Sequence, residues 1–289
     1  MKPHINLDSS AIHIKRAGIA QNKLAALTIH DAKKLVEPHI KAVKKNILSQ
    51  LKVRELDRKA GKTGSQAVYY KLKQIDQVLE NDWPSITKSV INTAAKDIPV
   101  GIESGFSLVN SELGTAYKTP LVSAAFAQSV DLVVKTAAKV HIKVIRAEIV
   151  QGMIANDDFA RSASRIAQFF DKGKGTGTYK SPFSNAARVI RTETQLAHVR
   201  SKVALYENEG YTRVLIVNGK TGCPICAPHI GEIYWIDIGP HAVYHPHCGC
   251  SEVAYDRKKR DGFVQSEQFP ESHKFTVERE TQFQKAPEK

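Results

Sequence analysis

The chain has 289 residues, 42% of them hydrophobic, and 42 Lys/Arg against 29 Asp/Glu give a formal net charge of +13. That length and apolar content predict a soluble globular protein with one large or two modest cores. No apolar run approaches the length that spans a bilayer, which excludes a transmembrane protein, and "MKPHINLDSSAIHIKRAG" is polar where a secretory signal is apolar. The expected compartment is the cytoplasm, where thiols stay reduced.

The charge is polarised. Residues 1–74 hold 16 Lys/Arg against 5 Asp/Glu, a surplus of +11, and the remainder is nearly neutral. A basic end of this kind predicts a polyanionic neighbour, either nucleic acid or the acidic face of a protein. The competing explanation is a solvated helical face, because Lys41, Lys44 and Lys45 recur at helical spacing beside Ile40, Val43 and Ile47.

In chain order, the spacing of Leu24, Leu27, Val36, Ile40, Val43, Ile47 and Leu51 predicts a helix from about Asn22 to Val53, kinked or broken at Pro38. "RKAGKTGS" predicts a loop. "QAVYYKLKQIDQVLENDW" predicts a second helix ended by Pro84, and a third runs from about Ser85 to Pro99. Residues 99–120, rich in Gly, Ser and Thr between prolines, predict a loop or broken helix. Val122, Phe126, Val130, Val133, Ala137, Val140 and Val144 then set one apolar stripe on a helix of about 30 residues, roughly 45 Å long.

"DDFARSASRIAQFF" predicts a shorter helix with acidic residues at its positive end. "DKGKGTGTYKS" lacks phosphate-loop spacing and predicts a flexible linker. "NAARVIRTETQLAHVRSKVALYENEG" predicts a helix capped by Ser184 or Asn185 and ended by Gly210. Beyond it the period becomes extended: "TRVLIVN", "EIYWID" and "SEVAY" predict short strands that frame the cysteines. The charged tail from Asp256 has little pattern and predicts disorder or order imposed by a partner.

All four cysteines lie between Cys223 and Cys250. Cys223 and Cys226 form a C-x2-C pair; Cys248 and Cys250 form a C-x-C pair beside His245 and His247. A C-x2-C turn delivers two thiolates from one knuckle, and a second pair from a distant loop completes a tetrahedral zinc site. Four cysteines, or three cysteines and His245, fill the four places, so Cys223, Cys226, His245, Cys248 and Cys250 are the candidate ligands.

Disulfides would contribute about 3–4 kcal/mol here, against about 10–16 kcal/mol for structural zinc in small modules. A catalytic zinc is disfavoured. Neither H-E-x-x-H nor an H-x-E deaminase signature occurs, and five candidate donors leave no open position for water. A thioredoxin-type redox C-x-x-C would need a βαβ context that this segment lacks. His229 and His241 read as loop or surface residues, and no catalytic or further cofactor-binding residues are assigned.

The helix "ARVIRTETQLAHVRSKVALYENEG", a strand, "CPIC", "GEIYWID" and "HPHCGC", in that order, resemble the Mu F-like head morphogenesis family, the minor head proteins of tailed phages. The resemblance covers about Glu148 to Tyr255. Arg191, Thr192 and Glu193 match its R-T-E motif; Cys223 to Cys226 match C-P-x-C; Gly231 matches the glycine before its short strand; His245, Pro246, Cys248 and Cys250 match H-P-x-C-x-C. Asn218 stands where the family often has aspartate, and Gly249 where it has arginine.

The resemblance implies a minor capsid protein recruited through the portal protein, held inside the head of the virion after assembly in the host cytoplasm, and assisting head assembly, DNA packaging or DNA ejection. Scaffold or major capsid protein and viral DNA are further expected partners; a membrane is not. The expected fold class is α+β: an elongated, predominantly helical body with a small C-terminal antiparallel β module stapled by zinc. The expected regions are basic and helical over 1–120, a long-helix body over 121–210, the β/zinc module over 211–255 and a charged tail over 256–289. The chain is expected to be no enzyme. The alternatives are a zinc-containing nucleic-acid-processing enzyme or effector, for which the stretch after Tyr255 is short, and a zinc-containing DNA-binding protein, for which strands stand where a recognition helix is needed.

Overall fold

The computed structural model describes residues 7–61, 64–117, 124–155, 157–172, 181–218, 223–245 and 248–256. The chain is predominantly helical, with one small antiparallel sheet near its C-terminal end. The helices are α1 (Leu7–Asp31), α2 (Glu37–Lys59), α3 (Ser65–Leu113), α4 (Ala124–Ile154), α5 (Phe159–Asp171) and α6 (Pro182–Asn208). The strands are β1 (Arg213–Asn218), β2 (Ile233–Trp235) and β3 (Cys250–Asp256). Among the described residues no helix is long and apolar enough to cross a membrane. The glycine-rich linker and the tail beyond Asp256 fall almost wholly outside the described residues, as do His247 and Pro246.

The residues form two compact units: Leu24–Val100 with Leu121–Thr194, and Met1–Lys23 with Gly101–Pro120 and Gln195–Lys289. Among the described residues, the regular elements of the first are all helices. Ile40, Val43, Ile47 and Leu51 of α2 are buried at steps of three and four, as their spacing predicts. Ahead of Pro38 the backbone widens into a π-helical turn, Ala32–Val36. A proline ring crowds the preceding turn, and one extra residue in that turn makes room for it. The Ser89 hydroxyl of α3 donates to the Leu35 carbonyl in this turn at 2.5 Å.

Pro84 and Pro99 do not end helices: α3 runs through both for 49 residues. Its buried residues Ile75, Leu79, Trp83, Ile86, Val90, Ala94, Ile98, Ile102, Phe106 and Val109 hold one stripe across both prolines. Pro84 is exposed and Pro99 partly so, and the carbonyls that lose a donor, of Glu80 and Ala95, belong to exposed residues that water can reach. Residues 99–120, expected to form a loop or broken helix, continue α3 unbroken up to Leu113.

On α4 the buried stripe is Val130, Val134, Ala137, His141, Ile145, Ile149 and Met153, while Val133 is 38% exposed. The adjacent valines at 133 and 134 fit either of two neighbouring stripes, and the buried His141 belongs to the one that apolar spacing alone passes over. His141 packs edge-on against Phe169, with ring centroids 5.8 Å apart, and Trp83 lies 5.8 Å from His141 and 6.4 Å from Phe170. Each fully buried aromatic contributes on the order of 2–3 kcal/mol. Asp158 caps α5 by accepting the Arg161 N–H at 2.8 Å.

α6 begins earlier than expected. Ser181 accepts the Ser184 N–H at 3.2 Å and Pro182 opens the helix, so the cap is Ser181 rather than Ser184 or Asn185.

In the second unit α6 ends at Asn208, and Gly210, with a φ of +79°, supplies the left-handed residue of a Schellman turn. The Tyr211 N–H reaches the Tyr206 carbonyl at 2.9 Å and the Gly210 N–H reaches Glu207 at 3.0 Å. Gly105 of α3 faces the His198 carbonyl and Ser201 of α6 so closely that a Cβ there would overlap both. The sheet order is β2-β1-β3, antiparallel throughout. Val214, Ile216, Tyr234, Ile236 and Val253 are buried, and the Arg213 guanidinium lies 5.3 Å from the Trp235 ring and 5.8 Å from Tyr255.

Candidate metal centre

The first cysteine pair sits on a knuckle after β1. Proline at 224 presets its turn, and the Ala227 and His229 N–H groups close it on the carbonyls of Cys223 (2.8 Å) and Cys226 (2.9 Å). The Cys226 N–H, with help from that of Ile225, points at the Cys223 sulfur and holds that thiol below its ordinary pKa. Gly231, at φ +82°, then returns the chain antiparallel to β1, its N–H on the Ile216 carbonyl at 2.9 Å. This places the knuckle at one end of the sheet.

The second pair comes from the opposite neighbour of β1. Val243 has a φ of +78°, a conformation that costs a β-branched residue about 1–2 kcal/mol, two positions before His245. Beyond it the Cys248 N–H closes a turn on the His245 carbonyl at 3.0 Å, and Cys250 opens β3 opposite Asn218.

These segments bring all five candidate donors together. His245 Nε2 lies 3.0 Å from both Cys223 Sγ and Cys226 Sγ, and Cys226 Sγ lies 3.5 Å from Cys248 Sγ. The donors form two overlapping triads, Cys223–Cys226–His245 and Cys226–Cys248–Cys250, within each of which every donor atom is within 4.8 Å of the others. Cys226 belongs to both. It is buried with Cys248 and Cys250, while Cys223 and His245 are half-buried, and all four thiols are free. A tetrahedron with metal–sulfur bonds of about 2.3 Å has edges of about 3.8 Å, so 3.5 Å between sulfurs is near what one ion needs. The cluster could hold a metal ion.

The electrostatics fit that role. Hydrogen bonding from the Cys250 thiol and N–H lowers Cys248 to about 5, which favours its thiolate form. Burial raises Cys226 to about 12, and the neighbouring Cys248 raises Cys250. A site that favours one thiolate attracts a cation, and a bound cation favours deprotonation of the other thiols.

His229 and His241 are engaged elsewhere. His229 stacks on Tyr244 with centroids 4.1 Å apart and meets the Tyr234 hydroxyl at 2.9 Å; His241 Nδ1 lies 3.3 Å from the Glu252 carboxylate. Arg191, Thr192 and Glu193 lie half-buried on α6.

Sequence reasoning missed the polar residues that hold β3. Ile216 turns its N–H and carbonyl toward β2, so its β3 partner Glu252, and Cys250 two residues before, present theirs to the open edge of the sheet. Side chains from helices occupy that edge. Gln21 Nε2 of α1 donates to the Cys250 carbonyl at 2.6 Å; Lys202 Nζ of α6 donates to the Glu252 carbonyl and to Ser251 Oγ at 3.0 Å. The Tyr206 oxygen meets the Ala254 N–H, and its hydroxyl donates to Glu112 at 2.7 Å. Desolvation lowers buried Lys202 to about 8. The available signal was a polar stripe, Gln195, His198, Lys202 and Tyr206, at helical spacing on an otherwise apolar face of α6. Comparison with protein-family models, curated proteins and solved structures finds no match for the chain.

Proposed function

We propose that the protein is a minor head component of a tailed phage, with one structural zinc in its β module. The observation that carries this reading is the order and convergence of its motifs. The R-T-E residues of α6 precede β1; the C-P-I-C knuckle, β2 and the segment from His245 to Cys250 follow, and the two cysteine pairs meet at one cluster. A soft donor set of four thiols and one imidazole suits zinc and disfavours magnesium or calcium, which take oxygen ligands. Buried sulfurs and a sheet built around them suit a staple rather than a reaction centre.

In this role the protein binds the portal protein, enters the procapsid and stays inside the head, assisting assembly, packaging or ejection of DNA without catalysing a reaction. Scaffold or major capsid protein is a further contact. Viral DNA lies against the basic N-terminal quarter, where Lys33, Lys34, Lys45 and Lys52 are exposed and none has an acidic partner among the described residues.

The test is co-expression with the portal protein, followed by metal analysis of the purified chain. The expected result is a stable complex and about one zinc per chain, with Cys226→Ser losing metal and stability together. A metal-free, chelator-resistant chain removes the zinc, and failure to co-purify with the portal removes the head role.

A further inference from the structure

The open edge of β3 ties the candidate metal centre to a helix more than two hundred residues away in sequence. Gln21 is 3% exposed and Cys250 fully buried, and their hydrogen bond at 2.6 Å joins α1 to the backbone of a candidate ligand. The Cys250 carbonyl can only accept, so the Gln21 amide must present Nε2 to it; its buried Oε1 has no partner among the described residues. Among the described residues the bond to Cys250 is the one hydrogen bond that holds this amide in the interior. That bond therefore matters more to where α1 docks than an exposed contact would.

Resting on the metal reading above, we infer that Gln21 is a positioning residue for Cys250, and that metal binding and the docking of α1 on β3 are thermodynamically linked. The physical basis is reciprocal. A metal–sulfur bond fixes the Cys250 backbone, and a fixed carbonyl is a better acceptor for Gln21 than one that samples several positions. By the same coupling, α1 in place holds the Cys250 sulfur where the ion needs it. Lys202 does the same for the next outward carbonyl, that of Glu252, but from α6, which the chain joins directly to β1. The Gln21 bond spans 229 residues of sequence, so no short chain connection holds α1 to β3 in its absence.

The experiment uses the full chain, stripped of metal and titrated with cobalt(II), whose visible absorption reports thiolate ligation and tetrahedral geometry. Hydrogen exchange of α1 residues around Ala17 to Leu24 is followed in the metal-free and cobalt-loaded states. Gln21→Met keeps length and apolar volume while removing the donor. The expected result is faster α1 exchange in the metal-free wild type, cobalt affinity about tenfold weaker in Gln21→Met with the absorption spectrum preserved, and α1 exchange in the variant that no longer responds to cobalt. Wild-type affinity in the variant, or α1 exchange indifferent to cobalt in the wild type, overturns the linkage while leaving the metal reading intact. A wild-type chain that binds no cobalt overturns the metal reading and the linkage with it.

Discussion

Asp97 of α3 is fully buried, and neither of its oxygens meets a donor among the described residues other than a proton shared with Asp31. Burial first, then the Asp31 carboxyl beside it, raise its pKa to about 7. Asp31 moves the other way: against the cost of burial, the Lys96 ammonium 2.5 Å away keeps it below the ordinary value, with His30 adding a smaller pull. Folded Asp97 therefore keeps a proton up to about pH 7 that the unfolded chain releases near 3.8. Across that interval the folded state binds more protons, so this group makes stability fall as pH rises from about 4 to 7 and then level off. Asp97→Asn keeps the shape and supplies a permanent donor to Asp31. It should flatten this fall and stabilise the chain by on the order of 2 kcal/mol at pH 8, with a smaller gain at pH 5, as read from urea unfolding at both values. An equal effect at both would remove Asp97 as the titrating group.

The elements were legible in proportion to how far one stripe of residues carried their burial. α2 and α5 came through because Ile40, Val43, Ile47 and Leu51, and Ile166, Phe169 and Phe170, face their cores at plain helical steps. Proline taken alone predicts breaks in α3, whereas the stripe from Ile75 to Val109 keeps its phase through Pro84 and Pro99. The π-helical turn before Pro38 had no periodic signature at all, since it is a local response to one ring. Its exposed backbone need is met by a side chain from elsewhere, the Ser89 hydroxyl on the Leu35 carbonyl. Ser89→Ala should cost about 1 kcal/mol and speed amide exchange around Val36 and Glu37, without loss of helix content. Unchanged stability together with unchanged exchange would mean that the Leu35 carbonyl does not depend on this hydroxyl.

At the scale of the whole molecule the five candidate donors all belong to one compact unit, and each unit carries one of the chain's two tryptophans. The cysteine spacing made the donors legible, because C-x2-C and C-x-C are local patterns. The unit itself was not, because it assembles residues before Lys23, between Gly101 and Pro120, and after Gln195 through contacts such as Gln21 to Cys250 that no window of sequence contains. Trp235, on β2 over Arg213, reports the unit with the donors, and Trp83, between His141 and Phe170, reports the other. In Trp83→Phe, fluorescence follows Trp235 alone; in Trp235→Phe, it follows Trp83 alone. If metal staples the β module, removing it with a chelator withdraws several kcal/mol from the Trp235 unit and should lower its melting midpoint by roughly 10 °C or more. The Trp83 midpoint should move much less, because the helical core around Phe169 and Phe170 contains none of the donors. Midpoints that fall together by the same amount would mean that the two units unfold as one, and midpoints that both stay fixed would mean that no metal holds the β module.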